Sequence, residues 1–521
     1  MELNREKIHE IIYFIGLVLI AGAMSFSIFV TSLAHFLLIT NYLLEGKYLT
    51  KLKTLWERKS VLVFLILILV HFLWLFNTSD FAYAMNDIRI KLPLLALPVI
   101  IGSSKALSFK KIKVILWAFV TAIFVNTIWV SVIMQTVTET TITDDFREAS
   151  VFISHIRLSL MIVLSIFILL WFLINKKIES KIELVLSSLG VAWFIFFLIL
   201  SQFFTGIVLL FVVGAIFVLW RVLKVNNLKI KISAIGFSII AVFAMAFMAY
   251  GQVKEFYKQP VRSFNQLLEE TENGNTYYHD KNSRVLENGN YVYVEICETE
   301  LRQAWEMRSR LSIDSLDSQN QPVLHTLIRF LTSKGLPKDA NAVMSLSNIE
   351  VMAIEDGVAN ERFVDGISFF DRIYQFIWQI DVYLKGGNPS GHSLTQRIEF
   401  FKVGVYILKS NLAFGVGTGD VQLAYNQAYE EINSQLEPEF RHRAHNQILT
   451  FYIAFGIIGA TLCLIAIFFP VIIEPKNTKY FISVFLIIAI VSMFNEDTIE
   501  TATGSAFFAY FYSLFLWGFQ N

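Results

Sequence analysis

The sequence predicts an all-α polytopic membrane protein, with about twelve transmembrane helices and a large, mostly helical extracytoplasmic domain between spans nine and ten. Three observations predict it. Hydrophobic residues make up 55% of the 521 positions and gather in long runs almost free of charge. Lysine and arginine recur in alternate short loops. One polar stretch, 251–443, is long enough to fold as a domain.

The apolar runs include 61–76, 158–174 and 455–473. About 18 such residues suffice to cross a hydrocarbon core about 30 Å thick. A soluble protein has no interior for so many buried helices. Spans are expected near 10–22, 25–43, 60–77, 91–103, 111–135, 151–175, 182–200, 203–220, 231–250, 446–471, 478–494 and 502–519. No small-residue cleavage site follows the first run, which reads as a retained span.

The basic loops give the orientation. Lys47, Lys51, Lys53, Arg58 and Lys59 share one side with Lys105, Lys110, Lys111 and Lys113. Lys176, Lys177 and Lys181, then Arg221, Lys224, Lys229 and Lys231, then Lys476 and Lys479 fall on that side too. That side is expected to be cytoplasmic, in a cytoplasmic (inner) membrane. The chain then divides into a membrane region 1–250, an outer (periplasmic) domain 251–443 and a membrane region 444–521. Within the outer domain, helices are expected over 298–311, 321–333, 361–385 and 394–409, and a short strand over 290–296.

Formal net charge is zero, which gives no case for a nucleic-acid partner. Two cysteines, Cys297 and Cys463, form no disulfide framework or zinc pattern. No metal site and no cofactor are expected.

Ionisable groups collect at the outer rim of the spans: Asp87, Arg89 and Lys91; His155 and Arg157; Glu496, Asp497 and Glu500. Rim charges also meet headgroups. Arg157 differs, because it lies inside an apolar run, where a charge is costly unless paired or functional.

The segment 391–459 carries the most information. Ser393 and Gln396 read as a capping box, placing Arg397 in the first turn of a helix, where phosphate is favoured. Gly415-Val416-Gly417-Thr418-Gly419 reads as a backbone turn that requires glycine, since its spacing differs from a dinucleotide fingerprint. Arg441-His442-Arg443-Ala444-His445-Asn446 precedes a span and offers proton transfer and anion binding.

In order and context these parts resemble the O-antigen ligase and O-antigen polymerase superfamily: Arg397, the turn 415–419, His445-Asn446, and Phe455-Gly456-Ile457-Ile458-Gly459 within a span. The resemblance implies a metal-independent, inverting glycosyltransferase. Its donor would be a glycan on an undecaprenyl-pyrophosphate carrier, and its acceptor a hydroxyl on lipid A–core or another surface glycan. It implies that Arg397 holds pyrophosphate and that His445 is the base. Where the family has a Ser-Arg-Thr-Gly-like segment, this chain has Ser201-Gln202-Phe203-Phe204-Thr205-Gly206, without arginine. Arg157 is the expected replacement.

The expected catalytic residues are therefore His445, Arg397 and Arg157. Substrate contacts are expected from Arg441, Arg443, His442, Arg89, Lys91, Gly417, Gly419, Asn446 and Glu496. A ligase and a polymerase use the same donor chemistry. A transporter or flippase of lipid-linked glycan is the rival of another class, and it calls for more polar groups at mid-membrane.

Overall fold

The structure is a computed structural model describing residues 5–137, 150–223, 227–258, 264–364, 369–474 and 479–519. Residues 138–149, Lys224 and Lys476 lie outside them. The described chain is mostly helical, with one two-stranded antiparallel sheet.

The first half comprises α1 (Arg5–Ala23), α2 (Ile28–Glu45), α3 (Tyr48–Glu57), α4 (Lys59–Leu73), α5 (Phe81–Lys91) and α6 (Pro93–Ser103). It continues with α7 (Phe109–Val137), α8 (His155–Ile174), α9 (Lys181–Leu200), α10 (Phe204–Leu223) and α11 (Leu228–Lys258). The expected span 91–103 begins later than expected, because Pro93 starts a new helix and the rim segment before it is itself helical. The polar region contributes β1 (Leu286–Glu287), β2 (Asn290–Tyr291), α12 (Glu298–Arg308), α13 (Val323–Ser333), α14 (Ala340–Met344), α15 (Asn348–Glu355) and α16 (Phe369–Leu384). Then follow α17 (Ser393–Ser410), α18 (Val421–Glu431), α19 (Gln447–Ile473), α20 (Lys479–Asn495) and α21 (Ala502–Trp517). The expected strand shrinks to two residues, because Leu286–Glu287 offers it only two partners.

Among the described residues, 7 helices are long and apolar enough to cross a membrane. They are Ile28–Glu45, Lys59–Asn77, Phe109–Met134, His155–Ile174, Lys181–Leu200, Phe204–Val222 and Gln447–Ile473. Helices also stand at the other five expected spans, and several of these are short. The 16-residue α21 is one of them, and residues 503–517 of it are buried throughout. Its aromatic faces explain why. Tyr510 donates to the Leu17 carbonyl (2.7 Å), Tyr512 donates to the Ile467 carbonyl (2.7 Å), and Trp517 donates to Ser60 (3.0 Å). A helix wrapped by other helices satisfies its surroundings with protein, so its length need not match lipid.

Cα proximity divides the chain into two compact units. One comprises residues 1–131, 146–217 and 397–521, and the other comprises 132–145 and 218–396. The second has its own apolar core, with Leu301, Trp305, Leu327, Phe330, Leu331 and Val343 all fully buried. That core explains why the polar region holds regular helices: α13 buries an apolar face against α15, and α12 packs on α14 within the same core.

Within the first unit, α19 is broken. Gly456 takes φ 63° and interrupts the helix after Phe455. The glycine turn repairs the break. Val416 N donates to the Ile453 carbonyl and Gly417 N to the Ala454 carbonyl, both at 2.9 Å, while Ile457 N donates to the Leu412 carbonyl at 2.9 Å. Backbone groups freed inside a membrane helix need such partners. Gly417 has φ +102°, and an added Cβ would overlap the Asn77 carbonyl; Gly419 lies equally tight against the Asp80 carbonyl. Both glycines are buried. They are therefore packing positions, which corrects the expectation that they touch substrate. Gly417→Ala should cost roughly 1–3 kcal/mol from backbone strain alone, more with the overlap. Folded yield in fluorescence size-exclusion chromatography should fall sharply, whereas Gly214→Ala, with open space around it, should leave yield unchanged.

Candidate functional site

The site is built from the N-terminal ends of three helices and the loop between α20 and α21. Each helix start is fixed locally. Ser154 caps α8, Asn446 caps α19 by accepting from Leu449 N (2.9 Å), and Thr501 caps α21. The α19 start is tied to the loop as well: Gln447 N donates to the Glu496 carbonyl (3.3 Å) and Asn446 donates to the Phe494 carbonyl (3.0 Å).

The three expected catalytic residues meet around one carboxylate, Glu496. Arg397 donates to Glu496 Oε1 at 2.9 Å and to Asn495 Oδ1 at 2.7 Å. His445 Nδ1 stands 3.7 Å from Glu496 Oε2. That is charge-interaction range, longer than a hydrogen bond. Arg157 and Glu496 line the same small crevice with Thr498 and Thr503. Burial works against the charged form of Glu496, but His445, Arg397 and Arg157 outweigh it and hold the carboxyl below its usual range. The depression stabilises the fold above the ordinary carboxylate range and is lost as pH falls through the lowered value.

The three cations differ in how far they are engaged. Arg397 is the fifth residue of α17, not a first-turn residue. Gln396 N bonds to the His392 carbonyl (2.9 Å), so the helix starts at the expected cap, Ser393, one residue earlier than expected. Its guanidinium is held by side chains and not aimed from a helix N-terminus. Arg157 donates only to Ser154 (3.1 Å), and its Nε is buried with no hydrogen-bond partner. No carboxylate lies within 4 Å of it among the described residues. His445 adopts φ 47°, an uncommon backbone state for a residue with a Cβ. Its ring rests against Phe400, with centroids 5.6 Å apart, and it is about a third exposed.

The segment standing where the resembled family has an arginine packs on the same turn of α8. The Phe203 ring lies 5.6 Å from His155, and Gly206 lies against Ser159. Residues 155 and 159 share one helix face. Arg157 is on the opposite one, facing Glu496.

A second charge cluster shares the loop between α20 and α21 with the first. Lys91 is 2% exposed and bonds to Asp87 (2.6 Å) and Glu500 (2.8 Å). Gln447 donates to Glu500 (2.7 Å), and Arg443 stands 3.7 Å from it. Burial works against the Glu500 carboxylate, but Lys91 and Arg443 hold it well below the usual range. Asp497 accepts from Thr450 (2.9 Å), and burial pushes its carboxyl up.

Lys91, expected to bind substrate, is therefore the buried centre of an ion network. Its ammonium is spent on two carboxylates. Lys91→Met should destabilise the protein by about 3–5 kcal/mol, because it leaves buried carboxylates uncompensated. Thermal unfolding in detergent checks this, and Lys91→Met combined with Glu500→Gln and Asp87→Asn should recover much of the loss.

Other expected contacts are also spent. Arg441 pairs with Glu430, donates to the Leu436 carbonyl (2.9 Å) and lies over the Tyr429 ring. Asn446 uses its side chain as cap and tether, so it too is structural. Arg443 is mostly buried beside Glu500. His442 is largely exposed; the partial desolvation of its ring and the neighbouring His445 lower its pKa. Arg89 is exposed and bonds only to Asn86 (2.7 Å) within its own helix. Sequence reasoning missed Gln447 and Asn495. Both are neutral amides next to residues it named, and only their contacts mark them.

No protein-family model matches this chain, and no curated protein matches it either.

Proposed function

We propose that the chain is a membrane-embedded glycosyltransferase of the O-antigen ligase type. It moves a glycan from an undecaprenyl-pyrophosphate carrier to an acceptor hydroxyl, such as one on lipid A–core, at the outer face of the cytoplasmic membrane. The observation that carries this reading is the convergence of Arg397, Arg157 and His445 on Glu496, from three separate parts of the sequence.

In this reading the acceptor oxygen attacks the anomeric carbon and the bond to the pyrophosphate oxygen breaks. Glu496 orients His445 through Nδ1, which leaves Nε2 to take the proton of the acceptor hydroxyl. Arg157, whose guanidinium has donors to spare, stabilises the pyrophosphate as it leaves. Arg397 holds Glu496 and faces the same anion. The reading takes the expected topology of about twelve spans with 251–443 on the outer side, in which this site belongs to the outer rim. Ionisable residues gather there and not at mid-membrane, which favours transfer over transport.

Deleting the gene and running the surface glycolipid on a gel tests the reading. Free lipid-linked glycan with bare acceptor is the expected result for a ligase. Acceptor carrying a single repeat would assign a polymerase. A ladder unchanged by the deletion would overturn the proposal.

A further inference from the structure

The face carrying the basic loops has its own cavity, of about 450 Å³, between α1, α2, α3 and the α6–α7 connection. Four lysines line it: Lys47, Lys51, Lys105 and Lys111. Glu10 and Glu45 line it too. Two of the lysines are spent, since Lys47 pairs with Glu6 (2.5 Å) and Lys51 with Glu45 (2.8 Å). Lys105 and Lys111 have no carboxylate within 4 Å among the described residues. Lys111 has only the Phe14 ring, 5.8 Å away. Two unpaired ammonium groups in one cavity call for an anion.

The wall of the cavity says what kind. The short helix α3 is amphipathic. Lys51 and Leu55 are buried on one side, while Leu49, Leu52 and Trp56 are 86%, 62% and 77% exposed on the other. A ten-residue helix with leucines and a tryptophan so exposed fits the membrane interface, with its apolar face in the acyl boundary. Its opposite face, through Lys47, Thr50 and Lys51, forms part of the cavity wall. The cavity therefore lies at headgroup depth.

We propose that this cavity binds the phosphate headgroup of an anionic phospholipid, held by Lys105 and Lys111, at the depth that the apolar face of α3 sets. A free phosphate ion has the same recognition chemistry but no use for the exposed leucines and tryptophan. The proposal does not depend on the transfer reading.

The test uses the full chain in nanodiscs of phosphatidylcholine doped with phosphatidylglycerol, and native mass spectrometry counts the phosphatidylglycerol retained. Lys105→Gln/Lys111→Gln should weaken retention roughly tenfold to thirtyfold, at the per-lysine contribution typical of anionic lipid. Lys59→Gln/Lys110→Gln removes the same charge from the same face but outside the cavity, and should change retention less than twofold. Equal losses in both pairs would reduce the effect to a diffuse surface field and overturn the proposal. So would unchanged retention in the cavity pair. Displacement of the lipid by inorganic phosphate at comparable concentration would assign a free anion and overturn the lipid.

Discussion

His445→Ala should lose most transfer, by about 10²–10⁴-fold, while the protein still folds and enters the membrane. The imidazole is the one side chain in the Glu496 cluster suited to take a proton near neutral pH. Little else depends on it. The ring is about a third exposed and stands 3.7 Å from Glu496 Oε2, so truncation removes few contacts. Stability should therefore change by less than about 1 kcal/mol. Glycolipid from the variant, on a gel beside wild type, checks the activity. Size-exclusion chromatography of the same sample checks the fold. A variant with wild-type transfer would leave His445 as an interfacial anchor of α19.

Arg157→Gln should lower transfer by about 10²–10³-fold and leave the protein as stable as before, or more so. The two signs come from one feature. The buried Nε without a hydrogen-bond partner means that the guanidinium is under-satisfied in the free protein: Ser154 is its acceptor, and Glu496 and Asp497 act on it only at longer range. Removing it relaxes the resting state. Yet a fixed cation facing a leaving pyrophosphate is worth that much in rate. Lower activity with equal or higher melting temperature distinguishes a functional arginine from a structural one. If Arg157→Gln melted well below wild type, the guanidinium would have a structural partner and the assignment would fail. Arg397→Gln should behave differently, since its bonds to Asn495 and Glu496 also hold the α20–α21 loop to α17. It should lose both stability and activity.

The contrast between Arg157 and Lys91 shows what a sequence can and cannot carry. Both belong to the rim set of charges, and Arg157 reads as costly because it lies inside an apolar run. The cost can be met by a ligand or by a carboxylate of the fold. Lys91 meets it with Asp87, four residues earlier, and with Glu500, more than four hundred residues later. The first pairing is visible in the spacing of a helix; the second depends on how α5 packs beside α21, which no local pattern records. Among the described residues, Arg157 finds no carboxylate within 4 Å.

The helices were legible because hydropathy and period report them directly. The rim cluster was legible because charges in apolar context are rare. The role of the Gly415–Gly419 turn was legible only in part. The need for glycine could be read from the residues, but not that the turn repairs the break at Gly456, since that break lies in a segment whose hydropathy is continuous. The short α21 was legible as a span, but its complete enclosure depends on which helices surround it. The boundary of α17 shifted by one residue because His392 and Ser393 can each stand before a helix, and the chain geometry chose between them.

The most direct measurement is transfer by the purified full-length protein in lipid vesicles, supplied with extracted lipid-linked glycan and acceptor. Undecaprenyl pyrophosphate release and new glycosidic product are followed together. Wild type should release one carrier per bond formed, and His445→Ala almost none at equal folded content. Glycan reaching the opposite leaflet with no carrier released, or full turnover in His445→Ala, would contradict it.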